Sequence, residues 1–366
     1  MATFGYSVFE FGAAGDGVTD DTAAIQKGIN FLAERGGGKL LFPYTKGGYR
    51  IASPGIEELD GRPLRSQLYI PCGTHNIQLE GEMPCKILYS YQIRPRGGVY
   101  NDPTLFGHQS RINTRIFSDW IPPEEHDPTA RPWSILSAPQ GDGYAGRFSV
   151  DAFSISNLEF AVALDRERMY PTQGAVNLGN VSRVNVENSQ FCLSENVGDA
   201  DLEKELQKNP CYVAGLIASN DQNDDNVLHN VAAQGFRYGF VLGEHVVADY
   251  LYVHNCEEGV TFHDASHLSV IIHIVAQHNA VILSTTDVEL YGNKKGRCNV
   301  IVGSVDFECG TGLRPAVDQL QFGVRDSENR LRGWLYWHKP WGERVFPVLG
   351  CETFEVIKFG SGVPRS

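Results

Sequence analysis

Four short apolar segments decide the fold: GLIA at 215–218, GFVL at 239–242, GVTF at 259–262 and AVIL at 280–283. They follow one another at spacings of 24, 20 and 21 residues, after a related segment, AVNL, at 175–178. Each follows another apolar run across a turn rich in Asn or Gly. Several short strands in a repeat of this length are typical of a β-solenoid, whose strands stack in parallel about 4.8 Å apart. A propeller needs about 40 residues per blade, and the Leu and Asn spacing of leucine-rich repeats is absent.

The composition is that of a globular chain: of 366 residues, 42% are hydrophobic and 20% are charged. The net charge is −13, and no run concentrates the 31 Lys and Arg residues. We therefore expect no nucleic-acid partner and no membrane partner. The eight cysteines form no zinc-ligand spacing, so we expect mainly buried free thiols, with Cys72 and Cys85 the one pair near enough in sequence to suggest a disulfide.

No stretch of the chain is long and apolar enough to span a membrane, and the start, MATFG, resembles no signal peptide. The expectation is a chain that carries no export signal of its own. Its compartment stays open: extracellular if a leader was removed, and cytoplasmic otherwise.

The amino-terminal segment predicts a helix rather than a coil. Ala23, Ala24, Ile25, Ile29 and Leu32 share one helical face. The run TDDT at 19–22 precedes them and can supply N-cap oxygens. GGG at 36–38 then stops the helix, and a strand, KLLFP at 39–43, follows.

This segment resembles a known family. The run AAGDGVTDDTAAIQKGI at 13–29, followed by GGGKLLFP at 36–43 and GYRI at 48–51, looks like the signature of the pectate-lyase-3-like superfamily of right-handed parallel β-helices. That superfamily includes polysaccharide lyases, glycoside hydrolases, fructotransferases and tailspike depolymerases. The resemblance implies an all-β, single-stranded parallel β-helix with a capping helix, and a poly- or oligosaccharide substrate. It also implies that Asp20 and Asp21 are structural residues, and that a homotrimer is an expected assembly.

We predict a single β-helix domain over residues 1–366. Within it, residues 13–51 form the amino-terminal cap and residues 313–366 the carboxyl-terminal cap. Residues 91–150 and 196–212 interrupt the repeat and are predicted to be insertions that build cleft walls.

The candidate catalytic residues come from the coil register. Because side chains alternate along a strand, Val176, Leu216, Phe240, Val260 and Val281 are predicted to face the core, together with Leu178, Ala218, Leu242, Phe262 and Leu283. The positions two residues further on, in the turn, are Asn180, Asn220, Glu244, Asp264 and Thr285. The two asparagines are expected to stack in the turns as structural residues.

Glu244 and Asp264 would then lie on adjacent coils, with carboxyl groups about 5 to 6 Å apart. Two like charges this close would separate their pKa values, as a glycosidase needs for an acid and a nucleophile or base. We predict these two as the catalytic pair, with His245 and Arg237 orienting the sugar. A structural role for the carboxylates is the alternative.

Further residues are predicted to bind substrate on the same rim. These are His263, Asp221, His278, Glu257, Trp120 and Trp133. Arg237, Glu257 and His278 form a predicted ladder at the other end of the strand. The two tryptophans could stack on sugar rings or pack internally.

The outward positions Asn177, Ile217, Val241, Thr261 and Ile282 are mostly apolar, which predicts a cover formed by an insertion or by another subunit. The first functional hypothesis is a glycoside hydrolase or transglycosylase with no cofactor. The runner-up is a polysaccharide lyase in which Arg237 neutralises a uronate and His245 or His263 is the base, with calcium as its cofactor. The acidic net charge and the scarcity of Lys disfavour a polyuronate substrate. The third hypothesis is a non-catalytic glycan-binding or tailspike-like β-helix.

Overall fold

Parallel strands wind into a β-helix with three stacks, as the repeat predicts. The computed structural model describes residues 5–82, 114–123, 132–141, 149–163, 173–193, 214–218, 225–262, 267–277, 279, 281–285, 299–308 and 330–337. Each coil contributes one strand to each stack, and every pairing except β5 with β6 is parallel. No helix in these ranges has the length and apolar character needed to cross a membrane.

The first stack forms one face of the β-helix. Its strands are β1 (Tyr6–Ser7), β3 (Gly38–Phe42), β7 (Thr74–Gly81), β10 (Val150–Ser156), β13 (Val184–Glu187) and β16 (Asn226–His229). The second stack runs beside it. Its strands are β2 (Asp16–Asp20), β4 (Gly48–Ile51), β8 (Thr114–Ser118), β11 (Leu158–Val162), β14 (Gln190–Leu193) and β17 (Val231–Gln234).

These two stacks merge where one longer strand, β19 (Val246–His254), pairs with both β16 and β17. The ladder continues through β21 (His267–Gln277), β23 (Asn299–Glu308) and β24 (Arg330–Trp337).

The third stack is a separate sheet. Its strands are β5 (Ile56–Leu59), β6 (Arg62–Tyr69), β9 (Trp133–Ser137), β12 (Gln173–Asn177), β15 (Ala214–Ala218), β18 (Tyr238–Leu242), β20 (Glu258–Phe262) and β22 (Val281–Thr285).

The predicted repeat is confirmed through the third stack, with one shift at its last coil. Val176, Leu216, Phe240 and Val260 are in register and buried in the core. Val260 then pairs with Leu283, so the predicted position of Val281 is wrong by two residues. Because strand side chains repeat every two residues, such a shift preserves the inward and outward faces and the sequence pattern cannot detect it.

The same shift corrects two other positions. Thr285 pairs with Phe262 inside the ladder, and therefore does not occupy the turn. Ser284, and not Ile282, continues the outward row beside Thr261.

Glycines are required where the third stack begins each strand. Gly215, Gly239 and Gly259 occupy equivalent positions, between paired residues on adjacent coils. A Cβ on Gly239 would lie 2.5 Å from the Gly259 carbonyl oxygen, and one on Gly215 would lie 2.7 Å from that of Gly239. The coils can approach this closely only because these residues have no side chain.

Asparagines make the bend between the first and second stacks. Asn157, Asn188 and Asn230 have φ values of 58°, 49° and 53°, in the left-handed region that Asn tolerates. The Asn230 amide donates to Asn188 Oδ1 at 2.9 Å. Asn180, predicted for this role, lies at a different turn, where its carbonyl oxygen accepts from the Ser149 N–H, and Asn220 lies outside the described residues.

The amino terminus closes the core as predicted. After a short 3-10 helix, η1 (Val8–Phe11), helix α1 (Thr22–Glu34) buries Ile25, Ile29 and Leu32. Asp21 stands at the N-cap position without capping, because its carboxylate accepts instead from the Ala14 and Gly15 N–H groups at 2.6 and 3.1 Å.

Asp20 joins the cap to the strand end at residues 52–53. Its carboxylate accepts from the Ser53 hydroxyl at 2.6 Å and from the Ala52 N–H at 3.0 Å. Burial opposes the charge, but hydrogen bonds from Ser53 and Thr22 prevail and lower the pKa of Asp20 to about 2. These contacts fit the structural role expected for Asp20 and Asp21.

The predicted insertion at 91–150 contains two strands of the ladder, β8 and β9, which pair in register with their neighbouring coils. The segment at 196–212, most of the segment at 313–366 and Cys85 lie outside the described residues. Cys192 and Cys256 are buried free thiols, as expected.

The glycine row generates a stability prediction. Gly239→Ala should destabilise the protein by about 1–3 kcal/mol, because the new methyl group overlaps a backbone oxygen that cannot move without separating two coils. Val247→Thr, at a half-exposed position, is the matched control and should change stability by less than about 0.5 kcal/mol. Chemical denaturation of both variants tests this. Equal stability of Gly239→Ala and wild type would show that the two coils can move apart enough to accommodate the methyl group.

Candidate functional site

The predicted catalytic edge lies where the third stack ends. Glu244 follows β18 by two residues and is 4% exposed. His245 has a φ of 54° and starts the turn into β19. The Ser269 hydroxyl fastens this turn from the next coil, since it accepts from the Val246 N–H and donates to the Gly243 carbonyl oxygen, both at 3.2 Å. Glu244 is therefore a buried carboxyl in the turn where it was predicted to lie, and its catalytic role stays a prediction.

The partner predicted for Glu244 cannot be placed. Leu242 pairs with Phe262, which supports the predicted alignment up to the strand end. Asp264, His263, Asp221 and His278 lie outside the described residues. The carboxylate pair therefore stays a prediction.

The opposite end of the third stack holds the predicted ladder of Arg237 and Glu257. Arg237 Nε lies 3.4 Å from Glu257 Oε2 on the next coil, and the guanidinium carbon lies 5.4 Å from the centre of the Tyr238 ring. Arg237 and His245 lie at opposite ends of β18, whose five residues span about 16 Å at about 3.3 Å per residue. The sugar-orienting role predicted for these two side chains stays a prediction.

The two predicted sugar-stacking tryptophans pack against each other. Their rings meet edge to face with centroids 5.1 Å apart. Trp133 is 2% exposed and Trp120 is partly buried. Gly55 makes room for both, since a Cβ there would lie 2.7 Å from Trp133. Internal packing therefore describes Trp133, while Trp120 retains some exposed surface.

The outer faces of the three stacks differ in burial. On the third stack the outward residues Asn177, Ile217, Val241 and Thr261 are all buried within the single chain, so covering them requires no second subunit. On the first stack, Val227, Val247 and Ile272 are exposed. Along β11 and β14 the outward face of the second stack is both buried and polar, with Glu159, Gln190 and Cys192 buried there.

Glu159 lies at the centre of this buried polar face. It alternates along β11 with the core residues Leu158 and Phe160, and so points outward, yet its side chain is fully buried. Arg115 of β8 is its register partner on one side and Gln190 of β14 on the other. We call Glu159, Arg115 and Cys192 the acid cluster.

Arg115 and Cys192 both contact the same carboxyl oxygen of Glu159. Arg115 Nε lies 3.0 Å from Glu159 Oε1, and the Cys192 thiol donates to the same atom at 3.5 Å. Among the described residues, no hydrogen-bonding group reaches Oε2. The Arg115 guanidinium also lies over the Phe117 ring, 5.2 Å from its centre, and its side chain is about one-third exposed.

Burial has the largest effect on the pKa values of Glu159 and Cys192. Desolvation raises the pKa of Glu159 to about 8, although the Arg115 charge opposes the shift. Desolvation also raises the pKa of the Cys192 thiol, so the thiol stays protonated and can donate. Strongly shifted groups of this kind concentrate at functional sites.

The sequence analysis did not identify this cluster. The signal was a single acidic residue inside an otherwise apolar strand, LEFAV at 158–162. It was overlooked because the repeat was aligned on the third stack, and β11 belongs to the second.

Other polar clusters lie on the exposed first stack. Arg183 and Ser182 donate to the Asp151 carboxylate, Arg183 in bidentate fashion, and lower its pKa to about 2. His229 Nδ1 contacts Asp249 on the adjacent coil. Within the described ranges, no three His, Cys, Asp or Glu side chains are placed to hold a metal ion.

Comparison with known families agrees with this architecture. The family model described as "Rhamnogalacturonase A/epimerase, pectate lyase-like" matches residues 5–123. This stretch includes the cap helix and the first strands of all three stacks. The chain is a parallel β-helix whose amino-terminal third is similar to this family. The matched residues contain the amino-terminal signature from which the sequence predicted this fold.

Curated proteins match the chain over a similar length. Mannuronan C5-epimerases AlgE5 and AlgE2 of Azotobacter vinelandii are 48% and 52% identical over 131 residues, which cover 33% of this chain and 13% of each relative. Alginate lyase 7 of the same organism is 47% identical over 66 residues, or 18% of this chain and 7% of the relative. The chain thus matches only about an eighth or less of the length of these relatives.

Two solved structures align with most of the chain at low identity. The catalytic unit of a GH87 α-1,3-glucanase from Streptomyces thermodiastaticus has a TM-score of 0.49 and 12% identity, and the alignment covers 93% of this chain and 55% of that one. The tailspike protein of E. coli bacteriophage HK620 has a TM-score of 0.47 and 11% identity, with 91% and 57% covered.

The buried carboxyl generates a prediction about pH and stability. The pKa of Glu159 is near 8 in the folded state, against an ordinary value of 4.5. The folded state therefore holds more protons than the unfolded state between these values, and its stability should fall as pH rises from about 4.5 to 8, by a few kcal/mol. Glu159→Gln should remove this part of the pH dependence.

Unfolding midpoints of wild type and variant, measured from pH 5 to pH 8, test the prediction. Asp16→Asn is the matched control, because hydrogen bonds from Thr19 and Val18 lower the pKa of Asp16 below its ordinary value of 3.8, so its titration lies below this window. Its difference from wild type should be constant. A constant difference for Glu159→Gln as well would mean that Glu159 is already ionised in the folded protein.

Proposed function

We propose that this protein is a polysaccharide-modifying enzyme whose substrate is a uronate polymer. The observation that carries the proposal is the 47–52% identity of up to a third of the chain to mannuronan C5-epimerases and to an alginate lyase. Mannuronan and alginate are both polyuronates. Epimerases and lyases of such polymers share a first step, the removal of the proton at C5 of the sugar ring.

The charge argument against a polyuronate is weaker than this similarity. Net charge describes the average surface, whereas a substrate carboxylate responds to the groups within a few ångströms, because salt screens exposed charges beyond about 10 Å. Arg115 and Arg237 are both partly exposed on the β-helix, and each is held by an acidic residue from an adjacent coil. Such groups can neutralise a uronate carboxylate, which makes the C5 proton easier to remove.

The second candidate function is a glycoside hydrolase that uses Glu244 with Asp264. The observation that favours it is the position of Glu244, which is buried in the turn that follows β18. In this case the substrate need not be acidic.

One experiment separates these functions. The protein is incubated with mannuronan, polygalacturonate and a neutral glucan, and three quantities are followed: reducing ends, ultraviolet absorbance of the new C4–C5 double bond, and uronate composition by NMR. Our proposal predicts activity on a uronate polymer only. New ends with absorbance indicate a lyase, and altered composition without new ends indicates an epimerase.

Other outcomes contradict the proposal. New ends without absorbance, on the neutral glucan, would replace it with the hydrolase. In that case Glu244→Gln should lose about 100-fold or more in rate, while Glu187→Gln, a control on the first stack, should not. No reaction with any polymer would favour a non-catalytic β-helix.

A further inference from the structure

We infer that Glu159 is a catalytic acid, and that its Oε2 atom carries the proton delivered to the leaving glycosidic oxygen of a polysaccharide bound at the outer face of the second stack. This inference rests on the proposed polysaccharide substrate. It does not depend on whether the bond breaks by elimination or by hydrolysis, because both need a protonated leaving oxygen.

The geometry places the proton on one atom. Glu159 Oε1 faces the Arg115 guanidinium and accepts from the Cys192 thiol, so both contacts favour negative charge on Oε1. A proton on the neutral carboxyl therefore resides on Oε2. No described residue takes a hydrogen bond from Oε2, although its surroundings are buried.

A purely structural role explains this arrangement poorly. A buried polar atom without a partner costs about 1–3 kcal/mol, and structural carboxylates are normally satisfied at both oxygens. Glu159 also points outward, where its removal would leave the inner core intact. The cluster lies one side chain from solvent, because Arg115 is about one-third exposed.

In the proposed step, each bond that breaks can be followed from the acid cluster to the substrate. The Oε2–H bond breaks as the proton passes to the glycosidic oxygen, and the bond from that oxygen to the sugar carbon breaks with its electron pair staying on oxygen. In an elimination, a base of the site removes the C5 proton. In a hydrolysis, water adds to the anomeric carbon. The carboxylate that remains is stabilised by the Arg115 charge 3.0 Å away, and takes its next proton from solvent.

The charged and titratable groups that face Glu159 from the neighbouring strands are few within the described residues. They are Arg115 from β8 and Cys192 from β14, with the neutral Gln190 in register beside it. Burial raises the pKa of Glu159 to about 8, so the acid is protonated at neutral pH and is lost at alkaline pH. Activity should therefore fall as pH rises through about 8.

The test compares Glu159→Gln with wild type on the polymer that the wild type modifies. We expect kcat to fall by about 100-fold or more with KM little changed, and the alkaline limb of the pH profile to disappear. A substrate whose leaving group needs no protonation, such as an aryl derivative, should restore most of the rate. Glu187→Gln, the same change on the first stack, should leave kcat, KM and the pH profile unchanged.

Two further measurements distinguish a loss of catalysis from a loss of folding. Circular dichroism and unfolding show whether Glu159→Gln is folded, and Glu159→Asp provides a second variant, which should be slow but keep its alkaline limb. If Glu159→Gln retains wild-type kcat and pH profile, Glu159 is no acid, and the proposed function survives without it. If the wild type modifies no polysaccharide, the proposed function and this inference both fail. If it epimerises a polymer without breaking glycosidic bonds, the proposed function stands and this inference fails.

Discussion

Every feature of this molecule depends on the backbone hydrogen bonds between successive coils. Parallel strands at a separation of about 4.8 Å bring equivalent residues of neighbouring coils into direct contact. Each position is therefore limited by the one above and the one below it. The glycines at 215, 239 and 259 show the limit most clearly, because at two of them a methyl group would meet the backbone of the next coil. At the bends, the stacked coils require the same backbone conformation at equivalent positions, and Asn157, Asn188 and Asn230 all adopt the left-handed one.

Stacking also determines where chemistry can occur. A carboxylate on one coil has a fixed neighbour on the next, so ionisable side chains are paired across coils: Arg237 with Glu257, Lys39 with Glu80, and Arg115 with Glu159. On exposed faces such pairs are solvated and contribute little. The Arg115 and Glu159 pair differs because the carboxyl is fully buried, which converts a common surface contact into a group with a strongly raised pKa.

The order of the three stacks explains which functional residues the sequence could reveal. The third stack has the most regular spacing and a glycine as the second residue of β12, β15, β18 and β20, so alignment on it predicts the coil register and the contact of Arg237 with Glu257. The second stack has no such marker, and Glu159 reads there as an irregular residue in an apolar strand. Trp133 shows the opposite problem: its size and polarity suit a sugar platform, but the glycine at 55 admits it into the interior.

The sequence by itself determined the solenoid, the capping helix and the parallel register, because these follow from local periodicity and from contacts between residues about 20 positions apart. Only the tertiary structure decided the last shift of two residues at Leu283, the burial of the third stack's outer row, and the environment of Glu159. The physical reason is the same in each case. A shift of two residues leaves the alternation of faces unchanged, and solvent exposure depends on segments distant in the chain, which periodicity does not record.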